Sequence, residues 1–442
     1  MNKNEACGRL YSINKTRIKQ VDLQIGHILP AIQVRSEDIT CTRCGQRTTK
    51  KRAALPANHY FCPKCKMLGR ISTLNVLYTI PESNEFAQIL NPLTWDGELS
   101  VFQTQCAQDL KKVVQRKGNH LLWAVTGAGK TEMLFDALEY AIQRKMRICI
   151  ASPRVDVCNE LFPRLKKAFE QVDILLLHGR QQQKYRYTQI VVCTTHQLLN
   201  FRQAFDVLII DEVDSFPFVN NKLLNHAVKT ARKKISALIL LTATPTKELL
   251  AEVRKNKMTF SYLPVRYHGH VLPFPKTRIV REWESKLERG KLPLKMIKII
   301  SKWVEEGFPF LIFVPRIALL EQTYMALKKY VNSDVRGATV YANDPERIEK
   351  VKKLREKKLI FLITTTILER GVTFPNLNVL ILGAEDKVFT RSALVQIAGR
   401  VGRSAQRPVG DVFFLCQSLT RSIKGALKQI SFLNKKGRQL LK

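Results

Sequence analysis

Acidic residues are the scarce component of this chain. Its 442 residues include 37 Asp and Glu against 73 Lys and Arg, a net charge of +36. That imbalance excludes a protein indifferent to polyanions, because its surface field gathers phosphates. Cysteine is also sparse, ten in all, which excludes a disulfide scaffold. Six of them (Cys7, Cys106, Cys149, Cys158, Cys193 and Cys416) have no partner nearby in sequence, as expected in a reducing compartment. Long apolar runs are missing. No stretch of about 18 uncharged apolar residues occurs, so no membrane span is predicted. The opening Met1-Asn2-Lys3-Asn4-Glu5 has no apolar leader core. The expected location is therefore cytoplasmic. Hydrophobic residues are not lacking, at 45%, so wholesale disorder is excluded. The length predicts two to three domains at roughly 100–200 residues each.

Short apolar runs rich in Val, Ile and Leu mark buried parallel strands. They fall at His120–Val125, Met146–Ala151, Asp173–Leu177, Ile190–Cys193, Val207–Ile210 and Leu238–Leu241. Segments with helical spacing, such as Glu132–Gln143 and Val155–Phe169, lie between several of them. Residues 256–285, with Pro264, Pro273, Pro275 and Gly269, break this rhythm and read as a connection. The rhythm resumes at Pro309–Val314, Gly337–Tyr341, Leu359–Thr364, Val379–Leu382 and Val412–Leu415. Strands alternating with helices predict α/β architecture with two doubly wound parallel sheets in tandem. The expected boundaries are an N-terminal region at 1–85, a first lobe at 86–258, a linker at 259–285, a second lobe at 286–418 and a basic terminal helix at 419–442. That helix would pack on the second lobe through Ile423, Leu427, Ile430 and Leu433, the alternative being a basic helix lying on a membrane surface.

Ala124-Val125-Thr126-Gly127-Ala128-Gly129-Lys130-Thr131 follows one predicted strand and opens a helix, as a phosphate-binding loop requires. Gly127 and Gly129 let the backbone curl so that its N–H groups face phosphate oxygens. Lys130 would reach the β and γ oxygens of ATP, and the Thr131 hydroxyl would hold Mg²⁺. Asp211-Glu212-Val213-Asp214 follows another strand at its carboxyl end, where α/β sheets bind ligands. Asp211 would ligate Mg²⁺ and Glu212 would act as general base on water. Gln396-Ile397-Ala398-Gly399-Arg400-Val401-Gly402-Arg403 sets two arginines three apart, on one face if helical. Both could then neutralise charge on a transferred phosphate.

In their order and spacing, these strings resemble the motifs of superfamily 2 helicases, over about residues 95–417. That resemblance implies two RecA-like lobes with ATP between them. It implies an adenine reader at Gln103 and nucleotide contacts from Thr126 through Thr131. Ser152, Pro153, Arg154, Thr194, Thr195, Thr364 and Thr365 would contact the nucleic-acid strand. Thr242, Thr244 and Gln396 would couple hydrolysis to that grip. The family's best-known variants end the acidic motif in Ala-Asp or Ala-His, so a coupling role for Asp214 is in question.

Cys41-x₂-Cys44 and Cys62-x₂-Cys65, 17 residues apart, have the spacing of a structural zinc site. Four thiolates close a tetrahedron around Zn²⁺ and leave no position for catalysis. His59 is therefore not expected to be a ligand. Residues 41–70 carry eight Lys/Arg and no Asp/Glu, with Tyr60 and Phe61 beside the second knuckle. Such a basic face suits a nucleic-acid strand.

A four-cysteine finger followed by Trp95-Asp96-Gly97-Glu98-Leu99-Ser100 and two such lobes resembles the late-competence ATPase family ComFA. The resemblance implies an ATP-driven translocase on single-stranded DNA that powers import of transforming DNA. It also implies contacts with other competence or recombination proteins and the DNA-uptake channel, at the inner face of the cell membrane. Self-association is left open. Two other readings stand beside it. One is a duplex-unwinding helicase, of the PriA-like replication-restart type or acting on RNA. The other is a zinc-dependent DNA-binding adaptor with a nucleotide switch.

Overall fold

In the first sheet five of the seven strands end where a motif begins. Strands β1 (Asn119–Ala124), β2 (Ile148–Ser152), β3 (Ile174–Leu177), β4 (Ile190–Thr194), β5 (Phe205–Ile210), β6 (Arg232–Thr242) and β7 (Thr259–Leu263) are ordered β3-β4-β2-β5-β6-β1-β7. The pairs β3–β4, β4–β2, β2–β5 and β5–β6 are parallel. All residues of β2, β4 and β5 are buried, which is why these strands read as unbroken apolar runs. The helix Val155–Ala168 covers β2, β3 and β4 with Val157, Cys158, Leu161 and Leu165 at helical spacing. This computed structural model describes residues 3–179 and 185–442. Met1 and Asn2, where the segment read for a leader begins, lie outside the described residues. By their contacts the residues fall into two units, 1–122 with 131–261 and 123–130 with 262–442.

The second sheet has six strands, β8 (Lys276–Ile279), β9 (Phe310–Phe313), β10 (Gly337–Val340), β11 (Phe361–Thr364), β12 (Asn378–Leu382) and β13 (Val412–Cys416). Their order is β8-β13-β12-β9-β11-β10, and every neighbouring pair is parallel. The basic tail is a helix, Arg421–Leu440, that packs on the helix Arg391–Ala398 and buries Ile423, Ala426, Ile430 and Leu433. Leu427 is only half-buried. Asn434 on the same helix fixes the connection, accepting from the Leu272 amide at 3.0 Å and donating to its carbonyl at 2.8 Å.

Two expectations need correction. Residues 259–285 are more than a linker, because β7 and β8 lie within them. Both are edge strands with exposed side chains, so neither shows an apolar run, and the prolines fall between them. The segment expected as one helix from Glu132 begins as a 3₁₀ turn, Glu132–Leu134, before the α-helix Phe135–Gln143.

The N-terminal region belongs to the first unit. Tyr11–Asn14, Asn75–Thr79 and His27–Pro30 form a three-stranded antiparallel sheet. Ile32–Val34, Asp38–Cys41 and Arg47–Thr49 form another beside the cysteines. Arg147, fully buried, ties this region to the first sheet. Its guanidinium pairs with Glu82 at 2.5 Å and donates to the Cys7 carbonyl at 2.9 Å, the Thr188 carbonyl at 3.2 Å and the Tyr185 hydroxyl at 2.6 Å.

Candidate nucleotide, metal and nucleic-acid sites

The phosphate loop turns where glycine permits it. Gly127 and Gly129 have φ of +83° and +73°, the left-handed region that strains any residue with a Cβ. The Lys130 ammonium donates to the carbonyls of Ala124 and Val125, at 3.2 Å each. It is thus folded over its own loop, where a triphosphate would compete for it. Thr126 donates to Gln396 Oε1 at 3.5 Å, bringing one expected coupling residue to the loop within the second unit. Gln103 is buried at the start of the helix Val101–Arg116. Its Oε1 accepts from the Ser100 amide at 2.9 Å while Ser100 caps the Gln103 amide. Ser100-x-x-Gln103 is therefore a capping box, a signal present in the sequence but not used above.

The acidic motif sits at the carboxyl end of β5. The Asp211 amide donates to Ala151 O at 2.8 Å, and Asp211 Oδ1 accepts the Glu212 amide at 2.9 Å. Glu212 adopts φ of +57°, a conformation uncommon outside glycine and associated with functional sites. Ser215 Oγ donates to Glu212 Oε2 at 3.4 Å. Thr131 and Asp211, both buried, are the hard oxygen donors that Mg²⁺ prefers. Asp214 accepts the Thr242 hydroxyl at 2.7 Å on Oδ1 and the Thr244 hydroxyl on Oδ2. The Thr244 amide donates to Thr242 Oγ1 at 2.9 Å. Asp214, the position in question in the sequence, is thus the residue that holds both threonines.

Arg400 and Arg403 do not share a helix face. The helix carrying Gln396 stops at Ala398, Gly399 caps it, and Gly402 at φ +71° turns the chain. Both arginines lie in the turn beyond. Buried Arg400 donates to Val372 O, while Arg403 Nε donates to Gly399 O at 3.2 Å and Nη1 to Thr373 Oγ1 at 3.2 Å. Two glycines in four residues, Gly399 as the cap and Gly402 in the turn, leave both arginines beyond the helix end.

The residues expected to contact the strand cluster at strand ends. Ser152 ends β2, Pro153 follows it, and half-buried Arg154 caps the next helix. Thr194 ends β4, and Thr195 Oγ1 is buried without a hydrogen-bond partner among the described residues. Thr364 ends β11, where its buried hydroxyl donates to Val340 O at 3.0 Å, so it holds strands together; Thr365 beside it is half-exposed.

The four knuckle cysteines are buried, with sulfurs all within 4.8 Å of one another. Cys41 and Cys65 sulfurs are 3.8 Å apart, and those of Cys44 and Cys62 are 3.6 Å apart. A tetrahedron with Zn–S bonds of about 2.3 Å has edges of about 3.8 Å, so the residues fit Zn²⁺. Hydrogen bonds from Cys41, Cys44 and Cys62 draw the Cys65 thiol down, whereas those shared with Cys41, Cys62 and Cys65 push Cys44 up. Arg43 completes the site, a role the sequence reading missed. It is buried, donates to Cys65 Sγ at 3.4 Å and to the carbonyls of Cys65 and Leu68 at 3.1 and 3.0 Å. It therefore drops out of the eight cations counted on the basic face. His59 is no ligand; its Nδ1 lies 3.0 Å from Thr73 Oγ1. Gly45, at φ +68°, lies so close to the helix Lys222–Ala231 that a Cβ there would stand 2.4 Å from His226 Nδ1.

Among the described residues, no helix is long and apolar enough to cross a membrane. Residues 101–252 match the DEAD/DEAH box helicase family and residues 293–405 the helicase conserved C-terminal domain. In fold, the chain is similar to yeast Dbp5 bound to RNA and ADP BeF3 (TM-score 0.54, 15% identity, covering 78% of this chain and 98% of that one). It is also similar to Mycobacterium smegmatis helicase Lhr bound to ssDNA and AMP-PNP (TM-score 0.56, 15% identity, 77% of this chain and 50% of that one). In sequence, it is 42% identical to the competence protein ComFA of Bacillus subtilis over 91% of this chain and 87% of that protein. It is 40% identical to ComFA of Streptococcus pneumoniae over 97% of each. With near-complete coverage at that identity, and with the four-cysteine knuckles and both helicase domains in order, the chain belongs to the ComFA family of competence proteins.

Proposed function

We propose that this chain is an ATP-driven motor on single-stranded DNA that serves DNA uptake in competence. The observation that carries this reading is the likeness to two competence proteins over 91% and 97% of the chain, across both helicase domains and the zinc module. A net charge of +36 and the basic residues around the knuckles support a polyanionic track. Contacts with other competence or recombination proteins and with an uptake channel, at the inner face of the membrane, belong to this proposal.

In this reading, Gln103 lies at the base, and the loop amides and Lys130 bind the phosphates. Thr131 and Asp211 hold Mg²⁺, which supplies electrophilic stabilisation of phosphate charge when bound. Glu212 orients the attacking water and accepts its proton. Arg400 and Arg403 neutralise charge that develops on the transferred group. Asp214, Thr242, Thr244 and Gln396 carry the state of the site to Ser152, Pro153, Arg154, Thr194, Thr195, Thr364 and Thr365, which hold the nucleic-acid strand. Contacts of this kind to phosphate and sugar are sequence-tolerant.

The test is the ATPase rate of the full chain with single-stranded DNA, duplex DNA, RNA or nothing added. Single-stranded DNA should stimulate most. If about five phosphates are neutralised, log affinity should fall against log salt with a slope near −3.5. Turnover indifferent to nucleic acid would overturn the motor in favour of a nucleotide-switched adaptor. Displacement of a duplexed strand would assign unwinding as well.

A further inference from the structure

Arg266 is 1% exposed, and no carboxylate pairs with it among the described residues. A buried, unpaired guanidinium is costly unless hydrogen bonds hold it. Burial, with Arg403 nearby, pulls its pKa down to about 9. Its two terminal nitrogens donate to Gly402 O and, at 3.3 Å, to Gly399 O. Those carbonyls bracket the turn that carries Arg400 and Arg403. The Arg266 stem lies against the phosphate loop, with Cγ and Cδ each 3.7 Å from where a Cβ on Gly127 would stand. The next residue reinforces the contact, since the Tyr267 amide donates to Gly127 O at 3.1 Å. Gly399 closes the third side, because a Cβ there would meet Thr126 Oγ1 at 2.5 Å. All of these residues belong to the second unit.

We propose that Arg266 is a positioning residue for ATP hydrolysis, fixing the arginine turn against the phosphate loop by gripping both ends of that turn. This rests on the reading above, in which Arg400 and Arg403 act on the phosphate. Lysine cannot replace it, because a single ammonium cannot present the planar fork that reaches both carbonyls.

The test measures ATPase kcat and KM of the full chain at saturating single-stranded DNA for R266K, R266A, R400A and R266A/R400A. Melting temperature and zinc content are measured alongside. We expect R266A to lose about 100-fold in kcat, with KM for ATP changed far less, because a misplaced group costs turnover rather than binding. R266K should melt like the wild type and still lose most of its kcat. The double variant should be no slower than R400A, because Arg266 acts through the turn. If R266A does not fold, R266K decides alone. Undiminished kcat in R266K, or additive losses in the double variant, overturns the positioning role while the finger reading stands. Wild-type turnover in R400A overturns both.

Discussion

Thr242 donates a 2.7 Å hydrogen bond to Asp214, joining the acidic motif to the threonine pair at the end of β6. Two buried hydroxyls meeting one carboxylate give the proposed coupling a continuous hydrogen-bonded path from the acidic motif to the end of β6. Asp214→Asn puts an amide donor where Thr242 or Thr244 now donates. DNA-stimulated ATPase should fall about tenfold more than the rate without DNA, corresponding to about 1.4 kcal/mol. Steady-state rates with and without single-stranded DNA check this, and equal losses in both would refute the relay.

Lys130→Ala removes the ammonium that now lies at 3.2 Å from the carbonyls of Ala124 and Val125. Turnover should drop by about 10²–10³, the usual cost of one charge-stabilising donor. Affinity for a labelled single strand, read by anisotropy, should remain largely intact. Turnover near that of the wild type would remove the nucleotide site from this loop.

Cys65→Ser should abolish bound zinc in elemental analysis and weaken single-strand affinity. Arg43→Met leaves the four ligands in place but removes the donor at 3.4 Å from Cys65 Sγ. Zinc affinity by chelator competition should fall about 10–100-fold, as for other outer-shell partners of metal ligands. Unchanged competition would mean that Arg43 serves only the carbonyls around it.

Arg147→Met leaves Glu82, whose side chain is fully buried, without its cation. Breaking one side of such a pair costs about 3–5 kcal/mol. Urea unfolding should show that loss. The Glu82→Gln, Arg147→Met double variant should recover part of it.

His120 gives a pH signature. Burial holds its pKa down to about 4 from 6.5, with Asp109 opposing. Between those values the unfolded chain binds a proton that the folded chain does not. The stability is therefore complete above about pH 6.5 and declines as pH falls towards 4. At pH 5 the loss should be about 2 kcal/mol relative to pH 7.5, at about 1.4 kcal/mol per pH unit. His120→Gln should lack this component when urea midpoints are compared at the two pH values.

Much of this was legible because buried parallel strands leave no ambiguity. Val207–Ile210 reads as a strand in sequence, and the observed strand Phe205–Ile210 that contains it buries all six residues. The glycines of the phosphate loop and the knuckle spacing are equally direct, since each residue type there has one physical use. The edge strands β7 and β8 were hidden because half-exposed strands carry mixed side chains. The shared face expected of the two arginines held only for a helix, and the helix ends at Gly399, before either of them, with Gly402 in the turn between them. The burial of Arg43, Arg147 and Arg266 was not legible: in a chain with 73 cations, burial of a particular one is decided by tertiary packing alone.

The closeness of Gly45 to His226 has a mechanical consequence. The four-cysteine module abuts the helix Lys222–Ala231 so closely that no side chain fits between them at Gly45. In the proposed function, tension on a strand held by this module would pass into that helix, against which Gly45 sits.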